Sequence, residues 1–116
     1  MALVSYNGRF FVGELAPVRD VLAQWLDVPD LETREGSFGP EIYYKRDGAK
    51  VYCEPVPDSG EPRFLLSGEL SGTASECERK LRSLVDLARA GGIDTSLQYE
   101  VIDEDGNPLS GEVDLI

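Results

Sequence analysis

"FLLSGELSGTASECERKLRSLVDLARAGGIDTSLQYEVI", residues 64–102, joins a strand, a capped helix and a second strand, and its changes of hydrophobic period decide the fold class. Arg63 to Gly72 reads as a strand. Thr73 followed three residues later by Glu76 is a capping-box signal. Behind it Cys77, Leu81, Leu84, Val85 and Ala88 form one helical stripe, Lys80, Arg82 and Arg89 lie off it or in the last turn, and Gly91-Gly92 closes the helix. From Thr95 the period returns to two, with Leu97, Tyr99 and Val101 alternating with Gln98, Glu100 and Ile102.

Upstream, "EIYYKRDGAKVYCEP" (41–55) predicts a hairpin about Asp47-Gly48. A two-residue loop pairs Arg46 with Ala49, Lys45 with Lys50, Tyr44 with Val51, Tyr43 with Tyr52 and Ile42 with Cys53. Ile42, Tyr44, Val51 and Cys53 then share one face, and Tyr43, Tyr52, Lys45 and Lys50 the other. "PVPDSGEP" (55–62) is the strongest internal break, short enough for a loop within one domain spanning 1–116. Asp30 to Pro40 has no period and reads as a surface loop. Before it, Val18, Val21, Leu22, Trp25 and Leu26 make a helical stripe from Pro17 to about Asp27, which Pro29 stops. Residues 2–13 read as two short strands joined by Asn7-Gly8, a favoured hairpin dipeptide.

At the other end Val113 and Leu115 alternate with Glu112 and Asp114, a third hairpin with Val113 and Leu115 toward the core. The order ββαβββαββ lacks regular β-α-β alternation. It predicts an α+β fold: a mainly antiparallel sheet of about 5–7 strands with two amphipathic helices on one face. No residues match at a fixed period, so no internal repeat is assigned.

Composition narrows the chemistry. The chain has 116 residues, 41% hydrophobic and 28% charged, near globular averages. Its N-terminus lacks a basic segment followed by an apolar one, and no apolar run approaches the roughly 18 residues needed to span a bilayer, so a soluble cytoplasmic protein is expected. There is no histidine, which removes Ser-His-Asp and Cys-His catalysis. Cys53 and Cys77 read as small buried hydrophobes, since their spacing suits neither a disulfide framework nor a zinc site. Neither G-x-G-x-x-G nor a P-loop occurs. No catalytic residue, cofactor or metal ligand is assigned.

"DEDGNPLSGEVD" (103–114) tests that last statement. Asp103, Asp105 and Asn107 match the first three ligand positions of a calcium loop, but Pro108 occupies the position that requires glycine, and strands rather than helices flank it. Asp105-Gly106-Asn107-Pro108 is turn chemistry.

The charge is uneven. Of the net −11, residues 94–116 carry −7, and no lysine or arginine follows Arg89. Such a field opposes binding to a nucleic-acid backbone. Glu100, Glu112 and Asp114 should project from the face opposite the core, close enough to repel one another across two strands, with Asp103, Glu104 and Asp105 at the turn. That face is either solubilising or a docking surface for a basic protein. Tyr43 and Tyr52 beside Lys45 and Lys50 suit either an interface or an edge strand blunted by lysines.

The expected function is therefore a non-enzymatic acidic protein-binding module of the immunity type, an inhibitor that neutralises a basic partner such as a toxin. Its expected contacts are Glu100, Asp103, Glu104, Asp105, Glu112, Asp114, Tyr43 and Tyr52, with neither nucleic acid nor membrane as partner. The alternative is an assembly protein, either a homo-oligomer or a component of a larger bacterial or phage complex. A small enzyme or ligand-binding domain using carboxylates is the third class.

Overall fold

A computed structural model describes residues 2–46, 48–56 and 60–116; Met1, Asp47, where the sequence predicts a turn, and residues 57–59 of the proline-rich break lie outside the described residues. The elements are β1 (Ala2–Phe11), α1 (Leu15–Leu26), β2 (Arg34–Gly36), β3 (Gly39–Arg46), β4 (Ala49–Pro55), β5 (Phe64–Gly72), α2 (Ala74–Ala90), β6 (Asp94–Ile102) and β7 (Val113–Asp114). Among the described residues the strands form one sheet in the order β2-β3-β4-β5-β1-β6-β7, every neighbouring pair antiparallel. The expected α+β class is the observed one.

The five expected cross-strand pairs of the β3–β4 hairpin are all present. In α2 the Thr73 hydroxyl accepts from the Glu76 N–H while the Glu76 carboxylate accepts from the Thr73 N–H, and the expected stripe is buried. Helix α1 begins at Leu15, two residues before Pro17, which is tolerated in the first turn because its missing N–H has no intrahelical acceptor there. It ends where Asp27 turns left-handed (φ 55°), ahead of Pro29. Among the described residues no helix is long and apolar enough to cross a membrane.

The N-terminal hairpin does not form. Residues 2–11 are one continuous strand, paired along its length with β5 on one side and β6 on the other. Two ladders outweigh the turn preference of Asn7-Gly8. Gly8 is not among the glycines with positive φ, as a hairpin turn of that type requires. Its role is close approach, because a Cβ there would collide with the Ser96 carbonyl on β6. The 30–40 segment also departs from a plain loop: Leu31 is buried, and Arg34–Gly36 pairs with β3.

Beneath the helices, Tyr6 ties the layers together. Its ring lies over Gly68, where any side chain would strike the Lys50 carbonyl or the phenol. The fully buried Tyr6 O–H donates to the Lys50 carbonyl of β4 at 2.8 Å, and its ring meets Trp25 of α1 edge-on, centroids 6.1 Å apart. Trp25 in turn donates from Nε1 to the Lys80 carbonyl of α2 at 2.8 Å. Burial pushes the Tyr6 hydroxyl far above its ordinary range, the nearby Cys53 adding to the effect, so it remains a donor at every physiological pH.

Tyr6→Phe leaves the Lys50 carbonyl without that donor and should lower unfolding stability in urea by about 1–2 kcal/mol. Gly68→Ala forces the ring and β4 apart and should cost about 1–3 kcal/mol. Wild-type midpoints in both variants would show that Tyr6 does not brace the layers.

Candidate protein-binding face

The helices cover one side of the sheet, leaving the other open. Along β1, Val4, Tyr6 and Phe10 are buried on the helix side, while Ser5, Asn7 and Arg9 alternate onto the open side. Strand register then arranges the open side in rows. One row runs Lys45, Lys50, Glu69, Ser5, Glu100 from β3 to β6. The next runs Tyr43, Tyr52, Ser67, Asn7, Gln98, Asp114 and reaches β7. A third contains Glu54, Leu65, Arg9 and Ser96. The short side chains of the middle leave a shallow groove of about 440 Å³ between the tyrosines and Glu69.

Strand order thus places Tyr43, Tyr52, Glu100 and Asp114 on one surface. The two tyrosines stack edge-on, centroids 6.3 Å apart, and the Arg34 guanidinium lies 4.8 Å from the Tyr43 ring centre. Tyr43 remains 40% exposed. Tyr52 is pinned: its O–H lies 2.6 Å from Glu41 Oε2 and 3.1 Å from Glu54 Oε2. A phenol has one proton, and the shorter contact directs it to Glu41. Arg34 Nε donates to the other oxygen of Glu41 at 2.8 Å, so this carboxylate, only 7% exposed, is held from both sides. The Tyr52 hydrogen bond and then Arg34 keep Glu41 below the usual carboxylate range, and the same bond pushes Tyr52 up to about 12. Sequence reasoning missed this cluster, because the signal sits in β2, within the segment read as a loop.

At the β6–β7 edge the acids divide by role. Asp103 is consumed locally. Its Oδ1 accepts from the N–H of Asp105 (2.9 Å) and of Asn107 (2.8 Å), its Oδ2 faces Asn107 Nδ2 at 3.4 Å, and these bonds lower its pKa. Gly106 closes the turn with a positive φ of 86°. These oxygens organise a turn, and among the described residues no three His, Cys, Asp or Glu side chains converge as a metal site would require. Glu104 and Asp105 are exposed at the tip.

The returning chain touches β6 only at intervals: Ile102 bridges Pro108, the Leu109 N–H donates to the Val101 carbonyl, and β7 itself is two residues long. Glu112 therefore lies exposed just outside the ladder, and the third hairpin is shorter than expected. Val113, expected in the core, is 36% exposed although it pairs with Tyr99 on the helix side. Helix α2 lies over β6, β1 and β5, while β7 flanks β6 on its far side. Leu109 and Ile116 are also exposed, at 67% and 41%, so the acidic edge carries apolar side chains that patterning placed elsewhere or passed over.

Elsewhere, burial raises both thiols, Cys53 to about 12, with neighbouring carboxylates adding to the effect. These buried groups are thiols at neutral pH and offer no thiolate for nucleophilic attack. Comparisons with protein-family models, curated proteins and solved structures find no match.

Because the Glu41 pKa is depressed on folding, its contribution to stability is present above the unfolded carboxylate value and is lost as pH falls through the folded one. Side-chain carboxyl NMR should place the Glu41 midpoint below 4.5 and shift it upward in Tyr52→Phe. An unchanged midpoint in that variant would show that the phenol is not the main cause.

Proposed function

We propose that the protein is a non-enzymatic acidic binding module, an immunity-type inhibitor that neutralises a basic partner protein such as a toxin, working in the cytoplasm. One observation carries this reading: no lysine or arginine follows Arg89, and the acids beyond it gather along the β6–β7 edge beside the exposed Leu109, Val113 and Ile116. Apolar side chains desolvate and anchor a contact, and surrounding charge accelerates encounter and selects partners of opposite sign. Glu100 and Asp114 extend the acidic edge onto the open face toward Tyr43 and Tyr52. Occluding a basic active site with such a surface requires no catalytic group of its own. The net charge of −11 disfavours nucleic acid as the partner.

Affinity capture from the native host should retrieve one basic protein. With that protein purified, the Kd should rise about tenfold or more between about 50 and about 300 mM salt, as screening predicts for a contact steered by charge. The E100K/E112K/D114K variant should bind at least about 100-fold more weakly while melting like wild type. A salt-independent Kd, or full binding by the variant, would contradict the assignment.

A further inference from the structure

We propose that the open sheet face pairs with the same face of a second copy of this chain, about a two-fold axis parallel to the strands between β5 and β1. The row pattern carries the inference. Such an axis lays β4 of one copy over β6 of the other, β3 over β7, and β5 over β1, without changing height along the strands. Lys50 then faces Glu100, Tyr43 faces Asp114, Tyr52 faces Gln98, and Ser67 faces Asn7. No like charges are opposed in these rows.

The free protein leaves part of this complementarity unused. Lys45 stands directly opposite Lys50 on β4, an unfavourable pairing, and only Lys50 has an acid, Glu69 on β5, on its other side. Among the described residues, neither lysine nor Glu69, Glu100 or Asp114 has an ion-pair partner. Sheets packed face to face lie about 10 Å apart with strand directions within about 30° of each other, a gap that extended lysine and glutamate side chains bridge. Six strands about 4.8 Å apart and three rows along them give a patch on the order of 600 Å² in projection, approaching the roughly 800 Å² each partner contributes to a standard interface.

The other in-plane two-fold axis, perpendicular to the strands, is poorer. It sets Lys50 over Glu54 and Lys45 over Glu41, carboxylates that the Tyr52 hydroxyl and Arg34 already contact, and leaves Glu69 over Leu65 and Glu100 over Ser96. The dimer goes beyond the proposed function. It shares Glu100 and Asp114 with the acidic edge, so a basic partner covering those residues would displace the second copy.

Sedimentation equilibrium of the full chain alone at low ionic strength should give a dimer of the 12.7 kDa chain that dissociates as salt is added. Lys50→Glu and Glu100→Lys should each weaken it by about tenfold or more, and the two together should restore it to within about threefold. Carbodiimide coupling of a mixed-isotope wild-type sample should join Lys50 to Glu100 between copies, which tests the geometry without any variant. A monomer at about 200 µM, far above the roughly micromolar Kd of even the weaker standard-sized interfaces, would overturn the proposal. So would full dimerisation by both single variants, rescue of Lys50→Glu by Glu54→Lys instead, or crosslinks confined within one copy. Lys50→Glu keeps every acid of the β6–β7 edge, so loss of the dimer in that variant alongside retained partner binding separates this proposal from the proposed function.

Discussion

The fold depends on the place where Tyr6 crosses beneath the helices. A tyrosine at the middle of the central strand must bury its ring and still satisfy its hydroxyl, and the Lys50 carbonyl meets that demand only because residue 68 has no side chain. The ring presents its edge to Trp25, whose own N–H reaches the Lys80 carbonyl. One continuous contact chain therefore joins β1, β4, α1 and α2. It holds both helices to the same side of the sheet, and that choice leaves the opposite side bare.

Everything assigned to function lies on what the helices leave uncovered. On the open face, register converts separate stretches of sequence into rows of neighbouring side chains, with lysines toward β3 and β4 and acids toward β6 and β7. Glu41, itself held by Arg34, accepts from the Tyr52 hydroxyl and fixes that ring, leaving Tyr43 as the more exposed aromatic of the pair. At the β7 edge the short return strand keeps Leu109, Val113 and Ile116 from full burial among carboxylates. The two proposed surfaces share Glu100 and Asp114, so self-association and partner binding would compete for the same charges.

Local signals made the helices and the middle hairpin legible. Capping at Thr73, the stripes from Val18 and Cys77, and the count across Asp47-Gly48 each depend on a few neighbouring residues, and each agrees with what the described residues show. The failures were non-local. Asn7-Gly8 has the composition of a turn, yet apolar Val4, Tyr6 and Phe10 keep an unbroken period of two across it, and pairing on both sides decided the outcome. Arg34–Gly36 carries no apolar alternation because it is an edge strand of three residues, invisible to periodicity. For the candidate site, alternation placed Tyr43 with Tyr52 and gave Glu100 a side, but that these share a face follows only from the strand order, which inserts β1 between β5 and β6.

On the proposed reading, the uncovered face and the acidic edge form the interaction surface. Amide chemical-shift mapping of the isotopically labelled chain on addition of its purified basic partner tests it most directly. Perturbations should concentrate in β6, in residues 103–116 and along the row from Tyr43 to Gln98, with α1 and α2 quiet. Perturbations concentrated on the exposed sides of α1 and α2 would contradict it.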